Sequence, residues 1–163
     1  MDSIIYYNAI KSSYEGLYFK EQIKKIQFLL SKFEIKTPYT ILDVGAGTGI
    51  LETILRNNNI TALEPSDMAD MIVQRKLNNV SIVRETIEKF QTDKKFDFVF
   101  CITVLQDIPE EQRENAIEKM ISLTNEGGFT IISVLKASGI DLSILNPMES
   151  GEIENDIYFI FRK

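Results

Sequence analysis

Apolar residues follow two different patterns along this chain. Between Glu21 and Phe33 they recur every three or four residues, which predicts an amphipathic helix. Elsewhere they form short continuous runs, which are typical of parallel strands covered on both faces. These runs predict six strands, at Thr40–Val44, Ile60–Leu63, Val80–Val83, Phe96–Ile102, Phe129–Leu135 and Ile157–Phe161.

Helices are predicted in three of the intervening segments. They are Ile50–Arg56, a segment running from an N-cap at Ser66 to Leu77, and Pro109–Leu123. The pattern over Thr86–Phe90 fits either one helical turn or a loop, and residues 137–155 show no clear pattern. Strands that alternate with helices predict an α/β fold with a doubly wound, mostly parallel sheet. The length predicts a single domain over residues 1–163.

A glycine turn follows the first strand, and a carboxylate ends the second. The turn reads Asp43-Val44-Gly45-Ala46-Gly47-Thr48-Gly49, and the carboxylate is Glu64. At the carboxyl ends of parallel strands these features outline a nucleotide-shaped crevice in which Glu64 can accept hydrogen bonds from ribose hydroxyls. Ile50 stands where a dinucleotide fingerprint needs its third glycine, which disfavours a nicotinamide enzyme. Asp43 would repel a pyrophosphate but suits a ligand that carries an ammonium group.

The composition excludes several classes of site. The net charge is −6 and the basic residues are scattered, which disfavours nucleic acid as a partner. The chain contains no histidine and one cysteine, Cys101, so neither a metal site nor an intrachain disulfide is expected. No apolar run approaches the ~20 residues that span a bilayer. We therefore expect a cytoplasmic protein that does not associate with membranes.

The glycine turn and the acidic strand end together resemble motifs I and II of the class I S-adenosylmethionine (SAM)-dependent methyltransferases. The resemblance extends from about Tyr6 to the end of the chain. It implies a Rossmann-like fold, SAM as cofactor and S-adenosylhomocysteine (SAH) as product. Family members usually carry seven strands, whereas about 28 residues follow Leu135. We therefore expect an abbreviated C-terminal part, with one strand and one helix shortened or missing, and a bare sheet edge that a second subunit could cover.

The resemblance also implies which residues bind the cofactor. They are Asp43, Gly45, Ala46, Gly47 and Gly49 in the turn; Glu64, Pro65, Ser66 and Met68 after the second strand; Glu85, Thr86 and Ile87 after the third; and Cys101 and Ile102 on the fourth. Asp43 either orients the loop and the ammonium group or simply binds loop amides. Met68 is either an adenine contact or a core residue. Cys101 lacks a basic neighbour and is better interpreted as a small strand residue than as a nucleophile.

Residues on the acceptor side are predicted from two segments. Asp107 follows the fourth strand and is either a catalytic or orienting carboxylate or the N-cap of the helix that begins at Pro109. The same alternatives apply to its neighbour Gln106. Tyr6, Tyr14 and Tyr18 lie in a tyrosine-rich segment, residues 1–20, that either forms a lid over the cofactor or packs against the domain edge.

The predicted function is transfer of a methyl group from SAM to an oxygen or nitrogen atom of a small molecule. The fourth strand is not followed by the Asn/Asp-Pro-Pro-Tyr sequence that relatives use for nucleobase or glutamine amides. Two alternatives stay open. One is a catalytically silent SAM-binding subunit, and the other is a protein or RNA methyltransferase that needs a partner subunit.

Overall fold

Seven strands form one sheet in the computed structural model, which describes residues 3–36 and 38–163 apart from the side chains of residues 12, 14, 15 and 17. The strands are β1 (Thr40–Val44), β2 (Asn59–Leu63), β3 (Val80–Val83), β4 (Phe96–Ile102), β5 (Thr124–Leu135), β6 (Glu149–Ile153) and β7 (Asp156–Arg162). Their spatial order is β3-β2-β1-β4-β5-β7-β6. Strands β1 to β5 run parallel, and β7 is antiparallel to both neighbours. The predicted doubly wound, mostly parallel Rossmann-like sheet is confirmed.

Helices cover both faces of the sheet and create two apolar layers. The helices are α1 (Ser3–Leu30), α2 (Ile50–Ile54), α3 (Ala69–Gln74) and α4 (Glu110–Leu123). On one face, Ile26 and Leu29 of α1 pack with Leu51 of α2 against the sheet. On the other, α4 packs Ile117 and Met120 against it. The central strands are therefore buried on both sides, which explains why their sequences read as continuous apolar runs.

Two predicted helix boundaries are wrong. Residues 3–30 form one helix, α1, so the helix expected over Glu21–Phe33 begins much earlier and ends at Leu30. Helix α3 begins at Ala69 and has no side-chain cap, so Ser66 is not its N-cap. The Ser66 hydroxyl instead donates to a Glu64 carboxylate oxygen at 2.5 Å, and the intervening residues form a turn.

The C-terminal part is shortened in its helix and complete in its strands. Two 3-10 turns, Lys136–Ser138 and Ser143–Leu145, stand where relatives have a helix. Strand β6 was not predicted; it pairs with β7 through a two-residue turn in which Glu154 adopts a positive φ of 51°. The prediction that a strand could be missing is therefore wrong, and β6 forms one edge of the sheet. Among the described helices none is long and apolar enough to cross a membrane.

Candidate functional site

A large cavity lies at the carboxyl ends of the parallel strands, beside the point where the strand order reverses between β1 and β4. Its volume is about 660 Å³. This is the position at which doubly wound sheets bind ligands. Twelve of the residues predicted for the site line it: Gly45, Gly47, Glu64, Pro65, Ser66, Met68, Glu85, Thr86, Ile87, Ile102, Gln106 and Asp107.

The glycine loop after β1 has a backbone that only glycine adopts without strain. Gly45, Gly47 and Gly49 have φ values of +76°, +56° and +83°. A Cβ on Gly45 would also overlap the Val104 side chain, with its Cγ1 at 2.9 Å. The N–H groups of Gly45 and Ala46 donate to the Leu63 carbonyl at 2.8 and 2.9 Å. In this conformation these two amides hold β1 to β2 and do not face a ligand.

Glu64 joins the glycine loop to the end of β2. Its Oε2 accepts a hydrogen bond from the Gly47 N–H at 2.7 Å, and its Oε1 accepts from the Ser66 N–H at 2.9 Å and from the Ser66 hydroxyl. A carboxylate offers about four lone-pair positions, so one position stays available on Oε2. Glu64 is thus held rigidly at the cavity wall and can accept a further hydrogen bond there.

Asp43 does not line the large cavity, contrary to the prediction. It lines a separate space of about 40 Å³ on the other side of the glycine loop, together with Ala46 and Gln22. The reason is the alternation of side chains along β1, which turns Asp43 away from the large cavity and toward Glu52 of α2. Gly49, the N-cap residue of α2, lines neither space.

Asp43 and Glu52 form a buried pair of carboxyl groups. Burial raises the pKa of Asp43 to about 7, against the lowering effect of a hydrogen bond with Glu52. Burial and the nearby Asp43 raise the pKa of Glu52 well above its usual value. Both carboxyl groups therefore release their protons at a higher pH than exposed carboxyl groups do. Glu52 was not identified from the sequence, although a glutamate among the apolar residues of α2 was a signal that could have been used.

Of the two site residues predicted on the fourth strand, only one lines a cavity. Ile102 lines both cavities, whereas Cys101 is fully buried in the layer beneath α4. Successive residues of a strand point to opposite faces, so both could not face the ligand. Burial raises the pKa of the Cys101 thiol, which confirms that it is not an activated nucleophile. Met68 and Ile87 line the cavity while being almost completely buried, so each also fills the core.

Asp107 lines the large cavity and is not a helix cap. It ends the 3-10 turn Leu105–Asp107, and α4 has Pro109 at its N-cap position without a side-chain cap. The Tyr7 hydroxyl donates to Asp107 Oδ2 at 2.9 Å. Burial raises the pKa of Asp107, against the lowering effects of hydrogen bonds from Tyr7 and Gln106. Asp107 is thus a partly desolvated carboxylate at the cavity wall, chemically able to accept a proton.

The cavity is covered by the first turns of α1, through residues other than the predicted tyrosines. Ser3, Ile4 and Tyr7 line it. Tyr6 and Tyr18 are 39% and 36% exposed and do not line it. The side chain of Tyr14 lies outside the described residues. The first turns of α1 therefore cover the cavity, although only Tyr7 of the tyrosines described there lines it.

Several residues near Asp107 line the large cavity and were not identified from the sequence. Thr103, Val104 and Arg113 line the cavity. The guanidinium group of Arg113 donates to the backbone carbonyls of Ile108 and Gln106 at 2.9 and 3.2 Å, which fixes the segment that carries Asp107. Its position in the first turn of the predicted helix, four residues after Pro109 and close to Asp107, could have indicated that Arg113 lies near the site.

Comparison with known proteins decides the family. A family model described as a methyltransferase domain matches residues 14–162, which is nearly the whole chain. The chain belongs to the class I SAM-dependent methyltransferases. The first turns of α1, which carry Tyr7, precede the part of the chain that matches the methyltransferase model.

Individual methyltransferases resemble the chain more distantly. A ubiquinone biosynthesis O-methyltransferase of Rickettsia bellii is 31% identical over 126 residues, which cover 68% of this chain and 50% of that protein. An uncharacterised protein of Methanocaldococcus jannaschii is 30% identical over 123 residues, covering 76% of this chain and 53% of its own length. The chain thus spans about half the length of the curated relatives that it matches.

Solved methyltransferase structures share the fold. A 1,6-didemethyltoxoflavin-N1-methyltransferase of Burkholderia thailandensis aligns with a TM-score of 0.77 at 16% identity, covering 99% of this chain and 88% of that one. The N-methyltransferase NodS of Bradyrhizobium japonicum aligns with a TM-score of 0.73 at 18% identity, covering 90% and 88%. At these identities the likeness establishes the class I methyltransferase fold.

Proposed function

We propose that this protein transfers a methyl group from SAM to an oxygen or nitrogen atom of a small molecule. The observation that carries the proposal is one continuous cavity with Glu64 and the glycine loop at one side and the Asp107–Tyr7 pair at the other. The first side offers what a nucleoside needs, and the second offers a carboxylate where an acceptor would lie. A volume of about 660 Å³ falls within the range of ligand pockets, about 300–1,000 Å³.

The residues at the first side fit SAM. The free lone pair of Glu64 Oε2 suits a ribose hydroxyl. Met68 and Ile87 present apolar surface to the cavity, which suits a purine ring, and Glu85 and Thr86 add polar groups beside it. When bound, SAM supplies an electrophilic methyl group on a sulfonium. Asp43 lies on the far side of the glycine loop and acts through the loop's conformation in this arrangement.

Asp107 is the residue proposed to handle the acceptor's proton. Methyl transfer is an in-line displacement: a bond forms between the acceptor atom and carbon, the carbon–sulfur bond breaks, and its electron pair stays on sulfur. The acceptor atom then carries a proton to be lost, and the Asp107 carboxylate can take it. Burial raises the pKa of Asp107, which makes it a better base than an exposed aspartate. Tyr7 fixes the orientation of the carboxylate.

A small acceptor is favoured because α1 covers the cavity. Ser3, Ile4 and Tyr7 close the side through which a macromolecular substrate would approach. The names of the relatives support the same class, since one acts in ubiquinone biosynthesis and another methylates N1 of 1,6-didemethyltoxoflavin.

Calorimetric titration with SAH tests the cofactor half of the proposal. We expect micromolar binding by the wild-type protein and a loss of at least tenfold in affinity for Glu64→Gln, which keeps the shape but removes the charge. Glu126→Gln, an exposed position near the start of β5, is the matched control and should bind as wild type does. Absence of SAH binding by the folded wild-type protein would refute the proposal.

A screen of amines and hydroxyl compounds with labelled SAM tests the acceptor half. For any compound that is methylated, Asp107→Asn should retain SAH affinity within about twofold and lose roughly 10²–10⁴-fold in rate, the range of a general base. An Asp107→Asn protein with unchanged rate would remove Asp107 from the mechanism. A protein that binds SAH and methylates none of the compounds would favour the silent subunit.

A further inference from the structure

Thr103 adopts a strained backbone conformation at the cavity wall. It follows β4 directly and has a φ of +58°. A β-branched side chain rarely tolerates this left-handed region, so the surrounding structure must hold Thr103 in it. Its backbone carbonyl accepts a hydrogen bond from Gln106 Nε2 at 2.6 Å. The conformation of Thr103 therefore sets the direction in which the segment 103–107, ending at Asp107, leaves the sheet.

A buried polar network holds Thr103 from below. Its hydroxyl donates to Asp156 Oδ2 at 2.6 Å, and the Ser133 hydroxyl donates to the same oxygen at 2.7 Å. Lys25 of α1 donates to the other oxygen, Asp156 Oδ1, at 2.8 Å, and reaches Thr103 Oγ1 at 3.3 Å. Lys25 and Asp156 are 1% and 0% exposed. The Thr103 N–H completes the arrangement by donating to the Ser133 carbonyl at 3.0 Å.

Burying an ion pair costs free energy, so a buried pair suggests a specific structural role. Desolvating a lysine and an aspartate costs several kcal/mol for each ion, and well-packed apolar residues often stabilise a fold as well or better. Here Lys25 is paired with Asp156 and also with Glu21 at 2.7 Å, so the charges are compensated. The network contacts the only non-glycine residue among the described cavity-lining residues that has a positive φ. The hydrogen bonds of the network to Thr103 are therefore placed to restrain its left-handed backbone conformation.

Helix α1 thus holds both ends of the segment 103–107. Lys25 holds the Thr103 end, and Tyr7 binds Asp107. Between these ends Val104 packs against Gly45 of the glycine loop. The acceptor-side segment is therefore tied both to α1 and to the loop at the cofactor side.

We propose that Lys25 and Asp156 are positioning residues that hold Thr103 in its left-handed conformation and thereby place Gln106 and Asp107 in the cavity. The inference rests on the proposed function for its catalytic meaning, because that function gives Asp107 its role. The claim about the segment's geometry can be tested without cofactor or acceptor.

The test compares two double variants that remove one ion pair each. Lys25→Met/Asp156→Asn removes the buried pair and leaves no unpaired charge between those two positions. The matched control, Lys24→Met/Glu154→Gln, removes an exposed pair between the same helix and the same hairpin, with Nζ and Oε1 3.4 Å apart. Two readouts are used: the pKa of Asp107 from carboxyl NMR, and amide hydrogen exchange over residues 103–107.

The buried double variant should lower the pKa of Asp107 by about one unit, because a loosened segment exposes the carboxylate to water. It should also speed exchange in residues 103–107 at least tenfold. The control should change neither. Adding Thr103→Asn to the buried double variant should restore both readouts in part, because asparagine adopts positive φ more readily than threonine. If the buried double variant does not fold, Thr103→Val, which keeps the shape but loses the hydroxyl, should give the same two changes.

Two results would overturn the proposal. One is a folded buried double variant, or a folded Thr103→Val protein, whose Asp107 pKa and exchange rates equal those of the wild type. The other is a failure of Thr103→Asn to restore either readout. A wild-type protein that does not bind SAH would refute the proposed function, while the NMR and exchange results would still decide the role of the network.

Discussion

At the scale of single residues, the carboxyl pair Asp43–Glu52 makes the fold sensitive to pH. Both groups are buried, and their pKa values are raised, to about 7 for Asp43. In the unfolded chain such groups ionise near pH 4. Above that pH the folded protein retains protons that the unfolded chain has lost. The contribution of this pair to the free energy of unfolding therefore falls as the pH rises from about 4 through 7.

We predict that Glu52→Gln reduces this dependence. Glutamine removes one charge and can donate a hydrogen bond to Asp43, so the pair no longer has to hold a proton. Relative to wild type, the variant should gain about 1–3 kcal/mol at pH 8, equivalent to one or two pKa units, and gain little near pH 4. Urea unfolding between pH 4.5 and 8.5 measures this, with the exposed Glu118→Gln as control. Parallel wild-type and Glu52→Gln curves would contradict the prediction.

Gly45 is the second residue with a separable role, because it combines a positive φ with a close contact. Gly139 has a similar φ, +70° against +76°, but a Cβ there meets no atom within 4 Å. We expect Gly139→Ala to cost about 1–2 kcal/mol, from backbone strain alone. Gly45→Ala should cost more than that and also displace Val104, so that SAH binding is lost. Thermal unfolding measures the loss of stability in each variant, and calorimetry measures SAH binding. Equal effects of the two substitutions would show that the contact between residue 45 and Val104 is unimportant.

At the scale of elements, the first turns of α1 form a cover held by polar contacts on both sides of the cavity. Tyr7 binds Asp107 on one side. On the other side the Asn8 side chain accepts from the Asp67 N–H at 2.7 Å, and Lys11 pairs with Asp70 at 2.7 Å. The Lys11–Asp70 ion pair is partly exposed, and a pair of this kind contributes only about 0–1 kcal/mol. A cover held in this way can open for ligand exchange.

We predict that Tyr7→Phe/Asn8→Ala/Lys11→Met accelerates SAH dissociation about tenfold or more while leaving the stability of the sheet nearly unchanged. The three contacts connect the cover to the domain, so their loss favours the open state. Stopped-flow fluorescence with a displaceable SAH analogue measures the rate. Lys20→Met, an exposed position further along α1, is the control. An unchanged rate in the triple variant would mean that opening of this helix does not limit release.

The elements also show which features could be predicted from sequence. Strands β1, β3 and β4 have their predicted bounds, because apolar runs that end at polar residues are determined locally. Strand β6 contains one apolar residue, Ile153, and depends on pairing with β7, so no local pattern indicated it. Helix α3 begins at Ala69, and the Ser66 hydroxyl that was predicted to cap it donates to Glu64, two residues earlier in the same loop.

The candidate site was predictable to a similar extent. The glycine loop and Glu64 follow from motif and topology. Tyr7, Thr103 and Lys25 were missed as site residues because their importance arises from contacts across 100, 53 and 131 positions of the chain, with Asp107 in the first case and Asp156 in the other two. Sequence pattern alone contains no signal for a pairing at such separations.

At the scale of the whole molecule, ligand binding should be linked to global stability. A ligand that binds only the folded state at 100 times its dissociation constant stabilises it by about 2.7 kcal/mol. For a domain of this size that corresponds to about 5–10 °C in melting temperature. We expect this shift with SAH for wild type and a much smaller one for Glu64→Gln at the same concentration. Differential scanning fluorimetry measures both, and equal shifts would contradict the role assigned to Glu64.

The position of Asp156 in the chain has a consequence for biosynthesis. Lys25 lies in α1 and its buried counter-charge lies in β7, 131 positions later, so the ribosome releases the lysine well before the aspartate. A nascent chain that has completed β1 to β4 already contains the glycine loop and Glu64, yet the lysine is still hydrated and Thr103 is unrestrained. The cofactor half of the cavity can therefore form during translation, whereas the acceptor half must wait until the last hairpin is synthesised. We therefore expect the two sides of the cavity to form in an order that is set by the position of Asp156 in the chain.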